Sequence, residues 1–176
     1  MKNTGIVRRI DELGRVVIPK EIRKVLRIRD GEPLEIYVEG EKISLKKFSL
    51  IDSYKDLAKT LVEEVGKVID KTVFITNRDE IITCYGDLKK DILNQEISSY
   101  LEKIIKERKT VVQKTSQNVE FVKNIKNNCA YLIHPIITEG NIVGLVVICS
   151  SKSSITETDE KLAITCSQFL EKYIEE

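Results

Sequence analysis

Two short β-prone runs, IVRRI (6–10) and GRVVI (14–18), flank the tetrapeptide DELG, whose Gly14 is free to take a positive φ, so the pair reads as a hairpin. A proline stops the second run. From Lys20 the period changes: Lys20, Arg23, Lys24 and Arg27 fall at i, i+3, i+4 and i+7, while Ile18, Ile22, Val25 and Leu26 fall opposite them. The spacing predicts a short basic helix opened by Pro19 at its first position, where the missing N–H costs nothing. DGEP (30–33) breaks the chain, and LEIYVEGEKISLKKF returns to period two as a second hairpin turning near Gly40.

Longer elements follow. Ser53-x-x-Asp56 has the spacing of a capping box and predicts a helix to about Ile69, with Leu57, Ala58, Leu61, Val62, Val65, Val68 and Ile69 as a broad apolar stripe. TVFITN and IITCYG read as strands, and 90–107 as one helix carrying Ile92, Ile97, Leu101, Ile104 and Ile105. Weaker strands are expected at TVVQK and around 119–122. A strong hairpin, AYLIHPIITEGNIVGLVVICSS, turns at EGN, and a last helix opens on the box Thr156-x-x-Asp159. Its apolar positions are Leu162, Cys166, Phe169, Leu170, Tyr173 and Ile174. The order predicts an α+β chain in two parts: a β-rich domain over 1–50, a linker over 51–55, and a domain over 56–176 with flanking helices about an antiparallel sheet.

Charge separates the two parts. The formal net charge is only +1, but the first 50 residues carry 12 Lys/Arg against 8 Asp/Glu, and the first 29 carry nine against three. A basic beginning on a mildly acidic remainder points to a polyanion at one end. Most of these cations are arginines, whose planar donor fork suits phosphate and guanine edges. Arg8, Arg9, Arg15, Lys20, Arg23, Lys24 and Arg27 are therefore the candidate DNA-binding residues; a merely solvated basic face is the bland alternative.

Two hairpins and one turn of helix hold too little apolar surface to offset ordering about 50 residues at roughly 1.5 kcal/mol each. No cysteine precedes Cys84 and no His/Cys cluster offers a structural metal, so association with a second copy is the remaining source of stability. An intertwined dimer is expected, which doubles the basic surface about a two-fold axis.

Enzyme chemistry finds little purchase. There is one histidine, His134, read as a packed or edge-strand residue, with a place in a ligand pocket as the other reading. No Gly-rich phosphate loop, paired-carboxylate arrangement or kinase signature occurs, and no catalytic or metal-binding residue or cofactor is assigned. Cys84, Cys129, Cys149 and Cys166 are scattered without a CxxC pair and read as buried free thiols of a reducing compartment. No apolar run approaches the roughly 18 residues of a membrane span. MKNTGIVRRIDELG lacks the features of a secretory signal, so the expected location is the cytoplasm.

The stretch TGIVRRIDELGRVVIPKEIRKVLRIRDGEPLEIYVEGEKISLKKF resembles the AbrB-type swapped-hairpin DNA-binding domain almost end to end, and DELGRVVIPKEIR is its specific part. HPIITEGNIVGLVVICSS is similar to the hairpin of GAF domains, and the pairing of the two resembles the two-domain sporulation regulators of spore-forming bacteria. The resemblance implies a transcription regulator, activator and repressor of sporulation genes, whose intertwined dimeric heads bind double-stranded DNA. It implies further that GAF domains assemble the dimers into a homotetramer and take a small-molecule effector of unknown identity. The family's DNA-contact arginines map onto Arg8, Arg15 and Arg23, with Lys24 where an arginine is common. Two other readings remain: an autoregulating antitoxin, since such heads also occur in toxin–antitoxin operons, and a thiol-dependent methionine sulfoxide reductase, an activity of some GAF proteins.

Overall fold

The alternation at 34–47 produces its hairpin. In the computed structural model, which describes residues 5–175, β1 (Leu34–Glu39) pairs antiparallel with β2 (Lys42–Lys47) around Gly40, whose φ is +61°. Residues 1–4 of the expected first domain and Glu176 of the second lie outside the described residues. The register sets Glu35 opposite Lys46 and Glu39 opposite Lys42, so one face of the hairpin pairs its charges. The other face sets Ile36 against Leu45 and Val38 against Ile43. That apolar face is uncovered: Val38 is 70% and Ile43 67% exposed.

This hairpin lies in the first of two compact units, Met1–Phe48 and Ser49–Glu176. Ahead of it, Asp11–Arg15 closes as a turn, with Asp11 N–H on the Arg15 carbonyl (3.1 Å) and Gly14 N–H on the Asp11 carbonyl (3.0 Å). The flanking runs 6–10 and 14–18 form no strand, in contrast to the expected hairpin. The turn exists, but among the described residues neither arm is assigned to a strand. Then α1 (Lys20–Val25) forms, with Pro19 as its N-cap (φ −56°, ψ 146°) rather than its first helical residue. The Pro19 carbonyl accepts the Arg23 N–H at 3.0 Å. A carboxylate ties the end of this segment to β2: the Glu32 side chain, only 5% exposed, accepts the Arg29 N–H at 2.7 Å and faces Lys47 Nζ at 3.6 Å. Among the described residues of this unit, Pro19 is the one apolar residue that is buried.

The second unit opens earlier than a linker over 51–55 allows. Leu50–Ser53 is a helical turn (α2) and Ile51 is fully buried, so burial of one isoleucine draws the chain into the core where sequence placed a connector. The Ser53 box does not form. Ser53 ends α2, and α3 (Lys55–Ile69) starts after Tyr54 without a side-chain cap. Strands β3 (Thr72–Thr76), β4 (Ile81–Tyr85), β5 (Val111–Val122), β6 (Ile125–Thr138) and β7 (Asn141–Ser150) make one antiparallel sheet in the order β4-β3-β7-β6-β5. The turn of the β6–β7 hairpin uses Glu139 and Gly140, both at positive φ (48° and 74°), as two-residue hairpins require.

Both faces of the sheet are covered, which is why β7 reads as an unbroken apolar run. Leu145 and Val147 belong to a core with Phe74, Phe121 and Tyr131 under α5 (Ser99–Glu107). Val146 and Ile148 belong to a second core with Ala58 and Val62 of α3 and Ala163, Cys166 and Leu170 of α6 (Glu157–Glu175). The expected helix over 90–107 is instead a turn, α4 (Lys89–Ile92), and α5. Asn94 breaks it at φ 59°, and Ser98 caps α5 by accepting the Leu101 N–H. The box at Thr156 forms in both directions: Asp159 Oδ2 accepts the Thr156 N–H at 2.7 Å, and Thr156 Oγ1 accepts the Asp159 N–H at 3.3 Å.

Candidate nucleic-acid interface

The candidate cations occupy three local settings. Arg8 and Arg9 lie on the extended 6–10 segment, exposed to solvent, and Arg8 Nη1 donates to the Val7 carbonyl at 3.1 Å. Arg15 follows the turn. Its Nε donates to Asp11 Oδ2 at 2.8 Å, and its backbone N–H donates to Asp11 Oδ1 at 2.8 Å. Asp11 Oδ1 also accepts the Leu13 N–H at 3.0 Å, so one carboxylate closes the turn and grips the guanidinium. Those bonds, chiefly the ones from Arg15, hold the Asp11 carboxyl below its ordinary value. Lys20, Arg23 and Lys24 stand exposed on α1.

Arg27 departs from expectation. The helix ends at Val25, and Arg27 sits past the cap at φ 52°, half-buried rather than one turn further along the same face. Six residues of helix cannot carry an i, i+7 row. Arg9, Lys20, Arg23 and Lys24 make no side-chain hydrogen bond or ion pair among the described residues, which leaves their charge available to an outside anion. Asp11 is the residue that sequence reasoning misses. The pattern DELG shows it only as part of a turn, although an Asp two to four residues ahead of backbone donors is the signature of a side-chain-closed turn.

The C-terminal unit holds the remaining candidates. All four cysteines are buried. Burial pushes the Cys84 thiol up to about 12 and Cys166 to about 11. Cys129 and Cys149 share a hydrogen bond that lowers the first and raises the second. Sulfoxide reduction needs an accessible thiolate, which these burials oppose. His134 is half-buried on β6, an inner strand, with Nδ1 2.7 Å from Thr110 Oγ1. Burial lowers its pKa, against a smaller opposing effect of Glu171. None of the described helices is long and apolar enough to cross a membrane.

Comparison with known proteins covers the whole chain. The family model described as "Stage V sporulation protein T C-terminal, transcription factor" matches residues 54–175, and "Antidote-toxin recognition MazE, bacterial antitoxin" matches 7–47. Stage V sporulation protein T of Bacillus subtilis (strain 168) is 42% identical over 178 residues, covering 100% of both chains. The transition state regulatory protein AbrB of the same organism is 65% identical over 48 residues, 27% of this chain and 50% of that one. Among solved structures, the GAF domain from Acinetobacter phosphoenolpyruvate-protein phosphotransferase covers 73% of this chain and 84% of its own at 14% identity, with a TM-score of 0.55. Type II free methionine-R-sulfoxide reductase from Thermoplasma acidophilum covers 68% and 94% at 12% identity, TM-score 0.52. At such identities the likeness shows the GAF fold alone.

Proposed function

This chain belongs to the stage V sporulation protein T family of transcription factors, and from that membership we propose that it is a cytoplasmic regulator of sporulation genes, activating some promoters and repressing others. Its N-terminal unit, the proposed DNA-binding domain over 1–50, meets double-stranded DNA through Arg8, Arg9, Arg15, Lys20, Arg23 and Lys24, with Arg27 adding charge from the helix end. The observation that carries this is the exposed, largely unpaired set of cations in a segment 65% identical to AbrB. The unit acts as an intertwined dimer. Its uncovered apolar face asks for a second copy, and a second copy also brings partner strands to the segments 6–10 and 14–18, which are assigned to no strand among the described residues.

The C-terminal unit, the proposed sensor and oligomerisation domain, joins dimers into a homotetramer. Val68 on α3 and Ile164, Phe169 and Tyr173 on α6 leave apolar surface in solvent, and these helices already cover the sheet with their other faces. A small-molecule effector acting on this unit belongs to the same reading. Assembly has the stronger support of the two, because α3 and α6 carry these exposed apolar side chains. The antitoxin reading sits poorly with a second unit that builds two cores of its own, where a toxin-wrapping tail has none.

The test is DNA binding by the full chain across about 50 to 200 mM salt, with mass measured in parallel. Six to ten phosphate contacts cost about 10³–10⁵ in affinity over that range. Arg23→Ala should weaken binding, lower the salt slope by roughly one for each phosphate left without its cation, and keep the mass unchanged. A flat salt response from a well-folded oligomer would return the basic face to a merely solvated one.

A further inference from the structure

The cations of the N-terminal unit are not equivalent. Arg9, Lys20, Arg23 and Lys24 have no side-chain partner among the described residues, whereas Arg15 is held at Nε by a carboxylate that is itself fixed by two backbone N–H groups. An arginine has five N–H donors, and Asp11 engages one of them, leaving the Nη donors available in a plane that is already oriented. Such an end-on fork matches the O6 and N7 acceptors of guanine in the major groove. The ion pair is exposed, with side chains 71% and 42% in solvent, so it adds little to stability. An anion beside the duplex also repels phosphate. An ion pair that adds little to folding, made by a carboxylate that opposes non-specific attraction, has the character of a specificity device.

We propose that Asp11 is a positioning residue that presents Arg15 as a base-reading fork, while the unpartnered cations Arg9, Lys20, Arg23 and Lys24 act on the phosphates. This rests on the reading of the unit as DNA-binding and adds the division of labour within it. The depressed Asp11 carboxyl keeps the grip in place throughout the neutral range.

Asp11→Asn separates the two duties of the residue. The amide oxygen still accepts the Leu13 and Arg15 N–H groups, but the amide nitrogen cannot accept the Arg15 Nε–H, so the turn stays and the grip is lost. The experiment uses the full chain and two duplexes of equal length and base composition, one recovered from a random library by selection with the wild type, the other its shuffled sequence. For D11N the ratio of the two affinities should fall about 5- to 150-fold, the value of one good bidentate base contact. Affinity for the shuffled duplex should hold or rise, and mass and thermal midpoint should match the wild type. R15K keeps the charge without the fork, so it should lose the same discrimination while keeping the wild-type salt slope. R15K alone decides the matter where D11N fails to fold. Discrimination retained by either folded variant overturns the proposal. A wild type that binds both duplexes equally overturns it while leaving DNA binding intact, and a wild type that binds neither overturns both.

Discussion

Asp159 and Lys71 bring opposite charges into the interior of the C-terminal unit, with side chains only 2% and 7% exposed. Lys71 Nζ donates to Asp159 Oδ2 and, at 2.9 Å, to the Ser154 carbonyl, while the same carboxylate oxygen accepts from the Thr156 N–H and hydroxyl at 2.7 and 2.9 Å. Burial alone raises the Asp159 pKa, but Lys71 and Thr156 together outweigh it and hold the carboxyl below its ordinary value. A depressed folded-state pKa contributes stability that is present above the unfolded value and lost as pH falls through the folded one. The window therefore lies in acid, below about pH 4. At pH 7, Asp159→Asn leaves the Lys71 ammonium buried without its counter-charge, which should cost about 3–5 kcal/mol in urea denaturation. The gap to wild type should narrow only on the acid side of that window. Adding Lys71→Met removes the stranded charge and should recover most of the loss; a double variant as unstable as the single one would show that the cap, not the ion pair, carries the energy.

Between elements, two glycines set how closely backbone and ring can approach. A Cβ on Gly144 of β7 would lie 2.0 Å from the Thr76 carbonyl oxygen of β3, its hydrogen-bonded neighbour in the sheet. A Cβ on Gly66 of α3 would lie 2.1 Å from the Tyr85 ring. A carbonyl inside a sheet has nowhere to go, whereas the half-buried Tyr85 ring can swing. Gly144→Ala should thus cost about 3 kcal/mol or more, and Gly66→Ala closer to 1 kcal/mol, read from thermal melts of the full chain. Equal losses would contradict the distinction between fixed and movable neighbours. The same local-versus-tertiary contrast decides what the sequence could tell. Hairpin 34–47 is legible because its alternation is independent of anything it packs against, and the Thr156 box because Asp159 answers Thr156 within one turn. The Ser53 box fails because Ile51 has a buried slot that makes the preceding residues helical, and no local pattern records that slot. The helix over 90–107 is over-extended because its apolar spacing continues across Asn94 and Ser98, where a positive φ and a side-chain cap interrupt the backbone. The polar middle of β5, Lys114–Asn118, is exposed, and the ladder with β6 shifts register between Gln113 and Gln117, so this stretch has no apolar alternation to show. In the interface, the number and sign of the cations are plain, but the shortness of α1 misplaces Arg27, and the partner of Arg15 is hidden inside an ordinary turn.

At the scale of the assembly, the proposed tetramer has two separable joints, and each can be cut without touching a cation. Val38 is 70% exposed in the single chain, on the apolar face that sets it opposite Ile43. If that face met only water, a charge there would change stability by no more than about 0.5 kcal/mol. Between two copies, Val38→Asp buries an unpaired carboxylate, which an interface does not tolerate. The variant should lose the head joint, halving the mass from four chains to two held by the C-terminal units. DNA affinity should fall with it although every arginine and lysine remains, because binding energy of this kind depends on two basic surfaces reaching one duplex together. The salt slope should flatten in step, since fewer phosphates are neutralised at once. Phe169→Asp, on the partly exposed face of α6, should also halve the mass. It severs the other joint, so one intact head dimer should keep the wild-type slope for a single site and lose only the gain from linking two. Sedimentation and salt-titrated anisotropy on the two variants separate the joints. Wild-type mass and affinity in Val38→Asp would mean that the heads do not share a core, and that the exposed cations act one chain at a time.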